Sequence, residues 1–217
     1  MKKNVYSLVL SEGVVNAVDA LAYREGTNRS ALINRILAEY LSYTTPEMRM
    51  RDIFKSIDSL LSGTAFRLAE PSDTMLSLRS SLAYKYNPTV RYSVELYRDS
   101  EDIGALRVSL RTQNTALLLT AMRFYTVFAA VEEKYIGKTR YRIEDGKFLR
   151  VFSLRLSRGG VEGLISTDDV GELIARYVEM LDSALKTYFA HAEEPQLAAQ
   201  GVDAVYRAFL AGSKHII

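Results

Sequence analysis

Residues 4–41, NVYSLVLSEGVVNAVDALAYREGTNRSALINRILAEYL, constrain the chain more than any other stretch. Tyr6, Leu8 and Leu10 alternate with Val5, Ser7 and Val9, a period of two that predicts one strand. Ser11 is placed to cap the helix that follows, with Glu12 in its first turn. Val14, Val15, Val18, Leu21 and Ala22 then recur at helical spacing until Gly26 stops the run. Asn28 is placed to cap a second helix, whose apolar positions Leu32, Ile33, Ile36, Leu37, Tyr40 and Leu41 come in pairs one turn apart. That stripe is too wide for one strand to cover. An isolated strand also leaves its own hydrogen bonds unpaired. A second copy of the unit solves both problems, because two strands pair and four helices close over one face.

The alternating strand ending in Leu10-Ser11-Glu12 and the run Gly26-Thr27-Asn28-Arg29-Ser30-Ala31-Leu32-Ile33, leading to Ala38-Glu39-Tyr40-Leu41, carry a family likeness. Over about its first 42 residues the chain resembles the ribbon-helix-helix DNA-binding proteins. The resemblance implies a homodimer whose two antiparallel strands enter the major groove, where every base pair is distinguishable. A seven-residue strand would be about 23 Å long. In that register Tyr6, Leu8 and Leu10 turn to the core. Val5, Ser7 and Val9 face the bases, with Lys3 at the entry. The amides of Asn28 and Arg29, flanked by the Thr27 and Ser30 hydroxyls, would hold a phosphate. Family members mostly carry long polar side chains on the groove face, whereas this chain offers two valines and a serine. Valine can touch a thymine methyl and serine can bond several base edges, so base reading is expected to be modest.

Composition narrows the alternatives. The 217 residues contain no cysteine, which excludes a disulfide scaffold or thiolate metal site and fits a reducing cytoplasm. The opening MKKNVYSLVLSEG has only a short apolar run, broken by Ser and Glu, and is not expected to act as a signal peptide. Ala116 to Val131, the longest apolar stretch, is interrupted by Thr120, Arg123 and Thr126. It reads as a buried helix, too short and too polar to span a membrane.

The expected fold class is α+β: a ribbon-helix-helix dimerisation unit over residues 1–45, then a larger domain over 46–217 with an antiparallel sheet covered by helices. Thr44-Thr45-Pro46 marks a helix start, and Met50, Ile53, Phe54, Ile57, Leu60 and Leu61 recur helically up to Gly63. Pro71-Ser72 marks a turn, and Met75 to Tyr86 alternates loosely. Thr89 to Arg98 puts Val90, Tyr92, Val94 and Leu96 on one face and Arg91, Ser93, Glu95 and Tyr97 on the other. After a turn at Asp99 to Asp102, Leu106, Val108 and Leu110 oppose Arg107, Ser109 and Arg111, completing a hairpin with one apolar and one basic face. Asn114 to Tyr135 reads as a long helix. Tyr141 to Leu156 reads as a second hairpin, turned at Glu144-Asp145-Gly146-Lys147. Gly159-Gly160 and Gly163 break the chain. Ser166 or Thr167 then caps a helix to about His191, and a last helix runs from about Pro195 to Leu210.

Catalysis has little to stand on. His191 and His215 are the only histidines and lie far from clustered acids. Ser183-Ala-Leu-Lys186 is a common spacing on an amphipathic helix, and Gly159 to Gly163 lacks the Gly-Lys-Ser/Thr ending of a phosphate loop. No metal-ligand spacing occurs, and neither an enzyme nor a cofactor is expected. Residues 138–158 carry seven Lys/Arg against Glu144 and Asp145, which suggests an anionic partner there. Arg91, Arg107, Arg111, Arg140 and Arg142, with Tyr92, Tyr97 and Tyr141 interleaved, form a second candidate site that could hold phosphates and stack bases. The bland reading is an ordinary solvated sheet face whose arginines blunt strand edges. The expected function is therefore double-stranded DNA binding as a cytoplasmic homodimer, with a regulator or repressor as the role. The alternative is an accessory protein that binds RNA or single-stranded nucleic acid on the basic sheet, with the N-terminal unit as a dimer clasp. Residues 46–217 could also contact another protein or sense a ligand. An antitoxin fits poorly, because the C-terminal part reads as a full domain with its own core.

Overall fold

In a computed structural model, residues 7–69, 72–85, 87–98, 100–153, 155–156, 167–213 and 215–217 are described. The chain divides into two compact units, Met1–Arg49 and Met50–Ile217. The expected turns at Pro71 and Asp99, the glycines at 159, 160 and 163, and the cap at Ser166 lie outside the described residues, as do Lys3, Val5 and Tyr6.

The first unit holds two short helices, α1 (Glu12–Arg24) and α2 (Arg29–Tyr40). Ser11 occupies the cap position of α1, but its side chain makes no capping hydrogen bond, contrary to the expectation. Asn28 does cap α2, its Oδ1 accepting from the Ala31 amide at 2.9 Å. Gly26 sits in the turn with φ +62, the left-handed backbone that glycine takes without a Cβ clash. Val18, Ala22 and Leu32 are buried together, with Leu21 and Ile33 packed against them. Residues 7–10 form no strand in the single chain. A ribbon needs a second strand to accept its hydrogen bonds, and one chain does not supply it.

The helix α3 (Pro46–Leu61) starts where Pro46 sets the backbone angle and Thr45 Oγ1 accepts from the Met48 amide at 3.1 Å. In the second unit its residues Met50, Ile53, Phe54, Ile57 and Leu61 are all buried. A six-stranded, wholly antiparallel sheet follows in the order β1-β2-β3-β4-β6-β5. Its strands are β1 (Arg67–Leu68), β2 (Met75–Ser81), β3 (Thr89–Leu96), β4 (Gly104–Arg111), β5 (Tyr141–Glu144) and β6 (Lys147–Phe152). The helix α4 (Thr115–Ile136) separates β4 from β5, and α5 (Thr167–Ala190) and α6 (Pro195–Ala211) come last. A two-residue pair, β7 (Arg155–Leu156) with β8 (His215–Ile216), makes a small second sheet.

Register fixes the faces. Leu68, Leu78, Tyr92, Val108, Phe148 and Ile143 are opposite one another on successive strands. All but Leu68 and Ile143 are fully buried, and those two pack against the same core. Helices cover this side: Tyr125 of α4 stacks on Phe148 at 5.4 Å, Tyr177 of α5 meets Phe152 edge-on at 5.4 Å, and Phe128 meets Tyr206 of α6 at 5.9 Å. By length and composition alone, α4 could cross a membrane, contrary to the expectation from its interruptions. Its Phe124, Tyr125, Phe128 and Ala129 are nonetheless fully buried in this core, while Leu119 is exposed.

Gly104 pairs with Leu96 where the backbones approach so closely that a Cβ would lie 2.0 Å from the Glu95 carbonyl oxygen. Arg150 alternates inward with Phe148 and Phe152, the one cation buried on the helix side among the described residues. Its Nε donates to Glu132 Oε2 at 2.9 Å and its Nη2 to the Ile217 carbonyl at 3.0 Å, while the Tyr177 hydroxyl donates to Glu132 Oε1 at 2.9 Å. The pair is desolvated but fully bonded, which is the condition for a tolerable buried ion pair.

Candidate nucleic-acid interface

The first candidate surface belongs to the N-terminal unit. Ser7 and Val9 lie in the extended lead to α1, both exposed, with Val9 as open as a side chain can be. Lys3 and Val5 lie outside the described residues. Thr27, Asn28, Arg29 and Ser30 come together at the start of α2, because the Gly26 turn and the Asn28 cap place the helix there. Helix geometry leaves the Arg29 and Ser30 amides without intrahelical acceptors, and the helix dipole makes that end attractive to an anion. The Arg29 side chain is otherwise engaged: its Nε donates to Asp19 Oδ1 at 2.6 Å, and its Nη2 pairs with Oδ2 of the same carboxylate. That bond and the adjacent charge hold the Asp19 carboxyl below its ordinary pKa. The phosphate-holding groups of this turn are thus the amides and hydroxyls, with Arg29 available only by leaving Asp19.

Around these residues the apolar stripe is uncovered. Leu8 is 59% exposed, Tyr40 87% and Leu41 69%, and Leu10, Val14, Ile36 and Leu37 are also exposed. Two helices of 13 and 12 residues are near the length at which an isolated helix is marginal in water.

The second candidate surface is the sheet face opposite the helices. Arg67, Arg79 and Arg91 are directly opposite one another on β1, β2 and β3, and Ser109 and Lys147 continue the row on β4 and β6. Arg111 and Arg107 lie on the same face of β4, two and four positions apart along the chain from Ser109's flank and from each other. Arg91 Nη2 donates to Ser77 Oγ at 3.2 Å, which leans that guanidinium along the sheet. Arg67, Arg79, Arg111 and Lys147 make no ion pair among the described residues. The row lines a groove of about 740 Å³, with Ser81, Thr89 and Ser109 supplying hydroxyls and no acid lining it among the described residues.

The sheet brings the expected arginines together in part. Arg91, Arg107 and Arg111 do share a face. Arg140 instead lies beside Ser153 and Asp102, donating to Ser153 Oγ at 2.6 Å and ion-paired with Asp102, at the opposite end of β4 from Arg111. Arg142 stands opposite Leu149, as Arg107 does, so it shares the face of Arg107 and pairs there with Glu144 at 3.3 Å on the edge strand. Arg150, one of the seven cations of the basic segment, is buried inward. Tyr92 is also in the core, its hydroxyl donating to Asp182 Oδ1 at 2.9 Å, and burial beside that carboxylate pushes its pKa well up. Tyr141 alternates to the helix side and packs against Phe148. Arg67, Arg79 and Lys147 were missed because a two-residue strand has no readable period and strand order is invisible in alternation.

The histidines stay apart from any acid cluster, and no group of three metal-ligating side chains occurs among the described residues. No family model, curated protein or solved structure matches the chain.

Proposed function

We propose that this protein is a homodimer that grips double-stranded DNA through its N-terminal unit and serves as a transcriptional regulator, with repression as the simplest mode. The observation that carries the reading is the open apolar stripe of Leu8, Leu10, Ile36, Leu37, Tyr40 and Leu41 on a unit whose own core is Val18, Ala22 and Leu32. A second copy covers that stripe and would pair residues 4–10 of the two chains into a ribbon. Fully burying one such Leu or Ile side chain is worth about 1.5–3 kcal/mol, so a few of them suffice to hold a dimer. The turn at Thr27 to Ser30 then presents amides and hydroxyls to phosphates on each side of the ribbon. Val5, Ser7 and Val9 make the base contacts, which limits sequence discrimination.

A gel shift with wild-type protein, Ser7→Ala and Ser30→Ala tests the reading. Loss of a phosphate contact at Ser30 weakens binding to all sequences alike, whereas loss at Ser7 acts only where the base edge matters. Wild-type protein that shifts no duplex at low salt would sink the proposal.

The second reading, RNA or single-stranded nucleic acid on the sheet, is favoured by the row from Arg67 to Lys147. It is disfavoured by the lining, which among the described residues contains no aromatic side chain on which a base could stack.

A further inference from the structure

We propose that the sheet groove of the second unit is a binding site for a compact ligand carrying several phosphate groups, which makes this domain the ligand-responsive part of the protein. Like charges directly opposite on neighbouring strands repel and destabilise a sheet. Here Arg67, Arg79 and Arg91 occupy three successive strands in one register row, and no carboxylate among the described residues pairs with Arg67 or Arg79. Four strand spacings separate β1 from β6, so the row from Arg67 to Lys147 covers roughly 19 Å. Arginine forks bind phosphate oxygens in pairs, and hydroxyls complete such sites. The groove supplies both: Arg79 and Arg91 lie near Ser81, Thr89 and Ser109. Ser80, at the same end, is buried and its hydroxyl has no hydrogen-bond partner among the described residues.

Three features favour a compact ligand over a nucleic-acid strand. The volume of about 740 Å³ falls in the range of small-molecule sites. Among the described residues no aromatic side chain lines the groove, so none of them offers bases a platform. The cationic row also ends against acids: Glu144 opposes Lys147 on β5, and Glu95 lies farther along β3. A polymer would have to pass these carboxylates, whereas a compact polyanion need not.

Calorimetric titration of the full chain with inorganic tripolyphosphate tests the site, with orthophosphate and a single-stranded oligonucleotide as parallel titrants. Saturable tripolyphosphate binding is expected, at least tenfold tighter than orthophosphate, falling at least tenfold in Arg79→Gln/Arg91→Gln and unchanged in Arg207→Gln on the helix side. If the double variant fails to fold by thermal melting, Arg111→Gln/Lys147→Gln carries the same expectation. No tripolyphosphate binding, or binding indifferent to these arginines, overturns the proposal. So does an oligonucleotide that binds through Arg79 and Arg91 while tripolyphosphate does not, because the groove would then be a strand-binding surface. The proposal stands on the second unit alone, so its failure leaves the duplex reading untouched.

Discussion

Arg29 of α2 is bonded to both carboxylate oxygens of Asp19 of α1 through one edge of its guanidinium, Nε to Oδ1 at 2.6 Å and Nη2 to Oδ2. The pair ties the start of the second helix to the middle of the first. It also neutralises the cation that stands beside the proposed phosphate-holding turn.

Asp19→Asn therefore releases Arg29 toward the phosphate. Duplex affinity is expected to rise a fewfold at low salt. The slope of log affinity against log salt should steepen by about one unit for each chain whose Arg29 adds a phosphate contact. Arg29→Ala in the Asp19→Asn background should return the slope to the wild-type value. Polarisation titrations at several salt concentrations measure both. A slope indifferent to Asp19 would show that Arg29 stays away from the phosphate.

Dimerisation should depend on the open stripe. Replacing Leu37 and Tyr40 by Ala removes two large exposed side chains that make no contribution to the Val18-Ala22-Leu32 cluster. Each truncation is expected to cost about 1.5–3 kcal/mol of association, and each 1.4 kcal/mol is tenfold in the dissociation constant. Sedimentation should show the double variant monomeric where the wild type is dimeric, with helical content retained by the second unit.

The buried pair of Arg150 and Glu132 gives a sharper test of the larger domain, because the two side chains are 3% and 0% exposed. Arg150→Met alone leaves a carboxylate in the core and should cost about 3–5 kcal/mol of unfolding free energy. Combining it with Glu132→Leu removes the stranded charge and should recover most of that loss. Urea unfolding followed by tyrosine fluorescence reads the cycle, since Tyr177 bonds the same carboxylate.

Asp203 on α6 accepts from Lys134 at 2.6 Å and from the Tyr135 hydroxyl at 3.0 Å, and Arg207 lies 3.0 Å away. The bond from Lys134 is the largest of the influences that hold its carboxyl below the ordinary range. A depressed folded-state pKa means that the stabilisation is complete above the unfolded value of about 3.9 and is lost as pH falls through the lower folded value. The contribution is about 1 kcal/mol or less, because the group is near solvent. Asp203→Asn should lower the melting temperature by a few degrees at pH 6, and by progressively less as the pH falls below the unfolded value.

Much of the fold was legible because particular residues left no local choice. Asp145-Gly146 between two alternating runs gave the second hairpin, and both residues have positive φ, at 50 and 70. The apolar run from Asn114 to Tyr135 read as a long helix, and the helix is there, with Asn114 Oδ1 accepting from the Leu117 amide at 3.2 Å. The two-residue strands β1 and β7 were not legible, since they are held only by a partner strand. Alternation showed that Arg91 and Arg107 face away from the core, but only strand order shows that Arg67 and Arg79 stand in line with Arg91. The inward turn of Arg150 was hidden for a related reason. Its alternation with Phe148 and Phe152 put a cation on the apolar face, and only the tertiary fold supplies Glu132.

The most direct measurement is a polarisation titration of a duplex oligonucleotide with the full chain across a series of salt concentrations, with the mass of the complex determined alongside. The account predicts an even number of chains per duplex and an affinity that falls linearly on logarithmic axes as salt rises. The contrary result is a monomer with no salt-sensitive affinity for duplex DNA, which would leave the open stripe of the N-terminal unit to another partner.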